Sequence, residues 1–305
     1  MVNRGKTYDP MVHSIQDLER LGSNKMSKMY REYYNEGVMD LITLRENQSA
    51  YDRYLIRPRA LRNVANLDTT TTILGSKVKF PCGFSPTAMH ALAHPDGEVA
   101  TIKEAMIQMI KGAEAAGFKA LLLTLDVPYL GRRLNEFRNN FNMPKGMEYP
   151  NLFPGLGVTN LDDGNEIMDY VSTAADAELA IIHGLDGIVI SNHGGRQLDS
   201  VPSTLDVLRE VVPVTKGEIT IVIDGGIRRG TDIFKALALG AEFCLAGRPA
   251  IWGLAYDGQA GVELAINLLY DEFRNCMALA GCKDISDISR DHVSLLQQDG
   301  RLLKL

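Results

Sequence analysis

The sequence predicts an α/β fold in which strands and helices alternate and the strands form one parallel sheet or barrel. Two observations lead to this prediction. From residue 80 onward, apolar runs of strand length are followed by helix-like segments. Most of these runs end in loops that contain glycine together with polar or charged residues. Because crossover connections between such units are right-handed, repeated strand–helix units build a parallel sheet or a closed barrel.

Length and composition are those of a soluble globular protein. The 305 residues are enough for one large α/β domain, with 45% hydrophobic and 23% charged residues. The formal net charge of −6 argues against nucleic acid or an anionic membrane as the main partner. The longest apolar runs are too short to span a bilayer. The four cysteines lack the spacing of metal ligands, so we expect reduced thiols and no metal site.

The two ends of the chain bear on its location. The first 20 residues do not resemble a secretory signal, which favours a cytoplasmic protein. The last three residues, Leu303-Lys304-Leu305, are similar to a peroxisomal signal but lack its small first residue. We therefore expect a cytoplasmic location, with a peroxisomal one as a weaker alternative.

The first part of the chain is predicted to lead into the main domain. Residues 1–75 read as a helical and extended lead-in and residues 76–305 as the barrel-type domain, the two forming one functional unit. Within residues 13–38 the apolar pattern predicts two helices divided near Gly22-Ser23, with Gly37 closing the second. The β-branched run at residues 69–72 favours an extended chain.

Five strands are recognisable in the main domain. They are predicted at residues 80–85, 120–125, 187–190, 219–223 and 243–246. The helices are predicted at residues 101–116, 174–183, 203–211, 232–239 and 262–279, with Ser203 as an N-cap and Gly240 as a stop. A long loop-like region covers residues 131–172. A complete (β/α)8 barrel has eight strands, so the sequence predicts an incomplete barrel.

The third of these strands ends in the most informative motif, at residues 191–199. It places a base, His193, and a fixed cation, Arg196, three residues apart beside two glycines. Histidine can accept a proton near neutral pH, and arginine can bind a carboxylate with two hydrogen bonds. The motif favours an enzyme that acts on a small carboxylic acid. The alternative is a surface turn that happens to contain a histidine.

The last two strands end in loops that suit a phosphate group. Residues 224–230 and the pair Gly247-Arg248 combine glycines with arginines, and barrel enzymes often bind phosphate after their last two strands. The alternative is two glycine-rich turns with solvated arginines. No Gly-x-Gly-x-x-Gly follows a strand, which argues against a Rossmann dinucleotide site.

Residues 191–199 resemble the signature of the FMN-dependent α-hydroxy acid oxidases and dehydrogenases, which include glycolate oxidase and lactate oxidase. Other matches occur in family order along most of the chain. They are Tyr33-Tyr34, Pro86-Thr87-Ala88-Met89, Leu123-Thr124-Leu125-Asp126, Leu130-Gly131-Arg132-Arg133, residues 224–230 and Gly247-Arg248-Pro249. The resemblance implies FMN as cofactor and oxidation of a small L-2-hydroxy acid to the 2-oxo acid, with oxygen or another acceptor taking the electrons.

The resemblance also implies roles for individual residues. His193 is similar to the catalytic base, and Asp126 to the carboxylate that stabilises its protonated form. Arg133, Arg196 and Tyr33 are similar to the groups that hold the substrate carboxylate. The residues implied to bind the cofactor are Pro86, Thr87, Ala88, Thr124, Ser191, Asp224, Gly225, Gly226, Ile227, Arg228, Gly247 and Arg248. Among them, Asp224 would bind the ribityl chain, and the later glycines and arginines the phosphate. Family members often form homo-oligomers.

The family pattern is interrupted in two places. Between residues 85 and 120 there is room for one helix, where the family has two further strands that carry a flavin-binding glutamine and a substrate-contacting tyrosine. Between Tyr170 and Thr173 the chain lacks a strand whose lysine faces the flavin in the family. Two alternatives therefore stay open. One is an inactive or impaired, shortened family member that binds at most FMN or a phosphate ligand; the other is a different phosphate-binding barrel enzyme, against which His193 and Arg196 argue.

Overall fold

The fold was obtained as a computed structural model, which describes residues 7–87, 89–94, 130–142, 173–297 and 299–305. Within these ranges the helices are α1 (Ile15–Lys25), α2 (Lys28–Asn35), α3 (Ile42–Asp52), α4 (Leu134–Arg138), α5 (Ala174–Ile182), α6 (Thr204–Thr215), α7 (Gly230–Leu239) and α8 (Arg248–Ala280). The strands are β1 (Tyr54–Ile56), β2 (Thr71–Ile73), β3 (Ser76–Val78), β4 (Cys82–Phe84), β5 (Gly187–Ile190), β6 (Thr220–Ile223), β7 (Phe243–Ala246), β8 (Val293–Leu296) and β9 (Leu302–Lys304).

The centre of the fold is a parallel sheet in the order β4-β7-β6-β5. Its first strand along the chain pairs with its last, with Cys82 opposite Cys244, and β5 then pairs with β6 from Gly187 to Ile190. An open sheet does not require its first and last strands to meet, whereas a closing barrel does. The described strands therefore form part of a barrel with its closing seam in place, which confirms the predicted fold class.

Helices cover the outside of this sheet. The predicted N-cap of α6 is confirmed, because the Ser203 side chain accepts a hydrogen bond from the backbone N–H of Asp206. The predicted stop of α7 is also confirmed, since Gly240 has a φ of 114°, a left-handed conformation that favours glycine. Ile233 and Phe234 of α7 are fully buried. No helix in the described ranges combines the length and the apolar character that crossing a bilayer requires.

The helices and strands that were predicted within the described residues agree with the structure in type, and most differ in extent, but the region predicted as a loop at residues 131–172 contains the short helix α4. The strands at residues 187–190 and 243–246 have the predicted bounds. The helix predicted at residues 203–211 continues to Thr215, and the one predicted at residues 262–279 begins much earlier, at Arg248. That long helix bends at Asp257 and Gly258, where the backbone leaves helical geometry. The helix and strand predicted at residues 101–116 and 120–125 lie outside the described residues.

The break between the first two helices was wrongly placed by the sequence pattern. The chain leaves α1 at Met26, and α2 starts after Ser27, whose side chain accepts a hydrogen bond from the N–H of Tyr30. Gly22 lies inside α1. A Cβ there would lie 2.2 Å from the carbonyl oxygen of Trp252 in α8, so the close approach of the two helices requires glycine. Gly22 therefore serves close helix packing and does not divide the helices. The prediction that Gly37 caps α2 is also wrong, because α2 ends at Asn35 and Glu36 occupies the C-cap position.

One strand that precedes the parallel sheet and two that follow it form a separate small sheet in the order β1-β8-β9. Strand β1 pairs antiparallel with β8, with Tyr54 opposite Leu295. Tyr54, Val293 and Ser294 are fully buried there. The segment ahead of the parallel sheet and the segment after it are thus held together.

Candidate active site

The candidate site lies where the carboxyl ends of the parallel strands meet. Asp224, after β6, accepts a hydrogen bond from the hydroxyl of Ser85, after β4, at 3.3 Å. A Cβ on Gly247, after β7, would lie 3.7 Å from the Cβ of Ser85. Arg248 donates to the carbonyl of Gly194, in the loop after β5, at 3.1 Å. Loops from all four described strands of the sheet thus form one cluster.

The loop after β5 has a constrained backbone. His193, Gly194 and Gly195 all have left-handed conformations, with φ values of 52°, 60° and 74°. The N–H of His193 donates to the hydroxyl of Ser191 at 3.1 Å. A Cβ on Gly195 would lie 2.7 Å from the backbone nitrogen of Leu44, so that position excludes larger residues. Three consecutive left-handed residues turn the chain sharply after the strand and set the direction of the histidine.

Helix α3, which the sequence pattern did not reveal, holds this loop in place. The side-chain amides of Asn47 and Asn192 exchange two hydrogen bonds of 2.7 and 2.8 Å, and both residues are buried. At the other end of the loop, the Asp199 carboxylate accepts from the N–H groups of Asp40 and Thr43. These hydrogen bonds lower the pKa of Asp199 although its partial burial opposes the shift. The loop and α3 are therefore one structural unit.

Replacing Asn47 with alanine should destabilise the protein by about 2 kcal/mol, because the buried amide of Asn192 loses both hydrogen bonds to Asn47 and keeps only the one to the carbonyl of Pro202. Urea denaturation of the purified variant measures this change in the free energy of unfolding. Asn63→Ala is the matched control at an exposed position, where we expect a change of about 0.5 kcal/mol or less. Equal stability of the two variants would contradict the role of the amide pair.

Arg133 and Arg196, predicted to bind a carboxylate, lie side by side and are both buried. The Nε of Arg133 donates to the carbonyl of Arg196 at 3.0 Å. The guanidinium of Arg196 lies 4.7 Å from the ring centre of Tyr33 and donates to that residue's carbonyl. Tyr33 in turn stacks on Phe141, with ring centres 4.7 Å apart. The structure thus brings together the three residues predicted to bind the substrate.

His193 belongs to the same cluster. Its Nδ1 lies 3.4 Å from the side-chain amide nitrogen of Gln197, four residues further along the loop. Burial lowers the pKa of His193 well below its usual value, and the positive charges of Arg196, Arg133 and Arg248 lower it further. A neutral imidazole beside three cations can accept a proton and is held in its basic form.

The loop after β6 contains two buried polar atoms without a hydrogen-bond partner among the described residues. They are Oδ1 of Asp224 and Nε of Arg228. Burial raises the pKa of Asp224 to about 6, against hydrogen bonds from Ser191 and Ser85 that lower it. The Arg228 guanidinium lies 4.8 Å from the ring of Trp252 and donates to the carbonyl of Ile227 at 2.8 Å. Buried groups with free donor and acceptor capacity indicate a polar ligand at this place.

Some of the other residues predicted to bind the cofactor can also be placed. Gly225 and Gly226 have φ values of 91° and 80°, and a Cβ on Gly226 would meet the carbonyl of Asn47 at 1.8 Å. The Thr87 hydroxyl lies 2.9 Å from Nε2 of His90, and Pro86 beside it is exposed. Ala88, Thr124 and Asp126, also predicted for the site, lie outside the described residues.

Arg248 is placed differently from a simple phosphate ligand. Arg248 is partly buried, and its guanidinium donates to three backbone carbonyls, those of Tyr34, Glu36 and Gly194, at 2.8, 3.0 and 3.1 Å. Burial lowers its pKa well below the usual value, with further lowering by Arg228 and Arg196. In this arrangement Arg248 ties the end of α2 to the histidine loop. Among the described residues, no cluster of His, Cys, Asp or Glu is arranged to hold a metal ion.

At the strand ends of a barrel-type sheet the structure places His193 beside Arg133 and Arg196, together with the glycine-rich loop after β6. This arrangement is typical of an α/β enzyme that binds small anionic ligands. The chain belongs to the FMN-dependent dehydrogenase family, whose pattern matches residues 22–108, 103–166 and 158–295. The protein is therefore an oxidoreductase that uses FMN. The predicted family, enzyme class and cofactor are confirmed.

Relatives and solved structures agree with this assignment. The chain is 46% identical to "Oxidase FUB9" of Gibberella moniliformis, over 96% of this chain and 94% of that protein. It is 39% identical to "Peroxisomal (S)-2-hydroxyacid oxidase GLO4" of Arabidopsis thaliana, over 92% of this chain and 96% of the relative. Its fold is similar to that of a mandelate oxidase crystal structure with (S)-2-phenylpropionate, with a TM-score of 0.82, 29% identity and coverage of 93% and 99% of the two chains.

These comparisons also locate the shortening of the chain. The alignment with the FUB9 oxidase extends over 363 positions, more than the 305 residues of this chain, so that relative carries internal segments absent here. The family pattern matches in three overlapping pieces that join at residues 103–108 and 158–166. The first junction lies within the first predicted interruption of the family pattern, between residues 85 and 120. The second junction lies shortly before the second predicted interruption, at residues 170–173.

The described residues fit FMN. An isoalloxazine–ribityl–phosphate ligand has hydroxyls to pair with Asp224 Oδ1 and phosphate oxygens to pair with Arg228 Nε, the two buried atoms that lack partners. Gly225 and Gly226 carry no side chains and adopt the positive φ that glycine favours, so the backbone of this loop can approach a ligand closely. Asp224 and Arg228 are thus suited to hold the cofactor that the family requires.

Proposed function

We propose that this enzyme oxidises a small L-2-hydroxy acid to the corresponding 2-oxo acid. The observation that carries the proposal is the convergence of Arg133 and Arg196 on one buried place beside His193, whose pKa is lowered. Two fixed cations suit a carboxylate, and a neutral imidazole next to them suits removal of a proton from the adjacent carbon or hydroxyl.

The proposed roles follow from this geometry. Arg196 and Arg133 bind the substrate carboxylate, and the Tyr33 hydroxyl adds a hydrogen bond to it. With the carboxylate fixed, the α-carbon is oriented toward His193, whose imidazole accepts the proton that the substrate loses. Asp126 stabilises the imidazolium that forms. FMN, when bound, accepts the two electrons.

The cofactor is proposed to lie across the strand-end loops. Asp224 binds the ribityl chain, while the loop at residues 225–228 and the pair Gly247-Arg248 bind the phosphate. The segment Pro86, Thr87 and Ala88 runs along the flavin, with Thr124 and Ser191 as polar contacts to its ring. Residues 1–75 complete the site by supplying Tyr33 to the barrel-type domain of residues 76–305.

A second candidate function is supported by the shortened chain. Internal segments of the relatives are absent, and the described parallel sheet has four strands. A member without the flavin-facing lysine and without part of the barrel would bind FMN or another phosphate ligand and turn over slowly or not at all. Loss of one preorganised charged group of this kind typically slows a reaction about 100- to 1000-fold.

Addition of FMN to the purified protein should produce a bound flavin spectrum and raise the melting temperature, because a ligand that binds only the folded state stabilises it. Asp224→Asn is predicted to weaken this effect, since it removes the carboxylate that receives the ribityl hydroxyls. Asp186→Asn is the control, because Asp186 immediately precedes β5 and lies at the opposite end of this strand from the site. A melting temperature that FMN does not change would contradict both candidate functions, and FMN binding without turnover would favour the second.

We propose a cytoplasmic location, with peroxisomes as the alternative that the name of the plant relative supports. Fluorescence microscopy of the protein tagged at its N-terminus distinguishes the two.

A further inference from the structure

The carboxylate of Glu136 already lies on the arginine pair. Its Oε1 is 3.2 Å from Nη1 of Arg133 and 3.8 Å from Nη2 of Arg196. Glu136 and Arg133 are three residues apart, and Arg133 immediately precedes the short helix α4 that carries Glu136. Among the described residues, Glu136 is the one carboxylate that forms an ion pair with either arginine.

An anion at this place has a clear physical reason. The side chains of Arg133 and Arg196 are only 10% and 11% exposed, and the side chain of Glu136 is 18% exposed. Two buried guanidinium groups that approach the same carboxylate oxygen repel each other and are costly to desolvate without a negative partner. Burial and the charge of Arg133 lower the pKa of Arg196, which reflects that cost. Glu136 supplies the missing negative charge.

The contact is also built to be exchanged. Arg133 is held by a hydrogen bond, but the 3.8 Å separation from Arg196 is too long for one, so that contact is a charge interaction alone. The Nη1 of Arg196 is already engaged by the carbonyls of Tyr33 and Glu36. Helix α4 has five residues, none of which is buried, so few packing contacts hold Glu136 in position.

We propose that Glu136 is the resident counter-ion of the arginine pair and that the carboxylate of the substrate must displace it to bind. The inference rests on the proposed function, because it assumes that Arg133 and Arg196 receive the substrate. Exchange of one carboxylate for another keeps one negative charge beside the two arginines before and after binding. Neutral hydroxy compounds cannot replace the glutamate, so Glu136 restricts the site to acids and lowers the affinity for them.

The test is a titration of the FMN-loaded protein with oxalate, an acid without an α-hydrogen that cannot be oxidised by loss of one. Calorimetry gives the dissociation constant for the wild type and for Glu136→Gln. We expect Glu136→Gln to bind oxalate about tenfold more tightly, the size expected when one competing charge-assisted contact is removed. Glu136→Asp, which keeps the charge on a shorter side chain, should lie between the two.

Glu32→Gln is the matched control. Glu32 accepts a hydrogen bond from Asn139, just after α4, at 2.6 Å, and forms no ion pair with either arginine among the described contacts. A glutamine there retains the acceptor and removes one negative charge from the same neighbourhood. Its dissociation constant for oxalate should stay within about twofold of the wild type, because this carboxylate contacts neither arginine and leaves no place for the ligand when its charge is removed.

The outcomes separate this inference from the proposed function. Oxalate binding that is unchanged in Glu136→Gln overturns the counter-ion role. Weaker binding overturns it as well and indicates that Glu136 orients the arginines. Equal tightening in Glu32→Gln overturns it as well, because the effect would then be one of net charge. Absence of oxalate binding in the wild type and in all variants, with FMN bound, overturns the proposed function itself.

Discussion

His193→Gln is expected to lower the turnover of 2-hydroxy acids by about 1000-fold or more while FMN binding stays intact, since a positioned base typically contributes factors of this order. Glutamine has nearly the same reach and can form hydrogen bonds, but its amide cannot accept the proton. The left-handed backbone at this position, with a φ of 52°, is unfavourable for both residues, so the exchange adds little new strain. Steady-state kinetics and the flavin spectrum of the same sample measure the two properties separately.

His13→Gln is the control for this variant, because His13 is an exposed residue of the lead-in. Its turnover should equal that of the wild type. If His193→Gln turned over at the wild-type rate, another group would be the base, and the proposed mechanism would be wrong.

The same histidine predicts how the wild-type rate depends on pH. Burial and three arginines lower the pKa of His193, so the imidazole stays neutral as the pH falls through the usual histidine value of about 6.5. Because the neutral form is the base, kcat/KM should hold its value through that range and fall only at lower pH. A decline centred at about 6.5 or above would contradict the lowered pKa.

The second large effect is expected for Arg196→Lys, which should raise KM and lower kcat together, with kcat/KM reduced by about 100-fold or more. The Nη1 of Arg196 donates to the carbonyls of Tyr33 and Glu36, while its Nη2 lies 3.8 Å from Glu136, where we propose that the substrate carboxylate binds. A lysine ammonium is a point charge and cannot make both sets of contacts, so the carboxylate would be held less firmly and in a different orientation.

Arg138→Lys provides the control, because Arg138 is exposed at the end of α4 and donates to Asn135 in its own helix. Its kinetic constants should match those of the wild type. A change in kcat without a change in KM for Arg196→Lys would indicate that this arginine does not bind the substrate carboxylate.

The strand ends of the site could be predicted because their signals are local. Strands β5 and β7 are continuous apolar runs that stop at glycine-containing or polar loops, and both have the predicted bounds. The helix caps at Ser203 and Gly240 are likewise determined by a single residue type at a chain reversal. Short-range chemistry of this kind can be read from one sequence without knowledge of the rest of the fold.

Helix α3 could not be predicted in this way. Its buried positions, Thr43, Asn47, Ala50 and Tyr51, have helical spacing, but two of them are polar, so the apolar pattern is weak. Its start is marked by Leu41 with a left-handed backbone and no side-chain cap. The helix is stabilised instead by Asn192 and Asp199, about 150 residues further along the chain. Only the folded structure brings these partners together.

Glu136 illustrates an intermediate case. The spacing of Arg133 and Glu136 by three residues is a local signal for an ion pair on one helix turn. The second contact, to Arg196, joins segments that are distant in sequence and depends on the docking of α4 against the histidine loop. The arginine pair was predicted by resemblance, but its counter-ion required the structure.

The pairing of early strands with late ones has a consequence for how the protein is made. Tyr54 pairs with Leu295, and Cys82 pairs with Cys244, so both sheets need partners from the last quarter of the chain. Contacts between such distant segments form slowly, because the intervening chain must first be ordered. While the ribosome is still adding residues, β1 and β4 have unpaired edges that can associate with other chains. A nascent molecule therefore completes these two sheets only after the segment around Leu295 has been synthesised, and chaperones that shield strand edges should increase its yield.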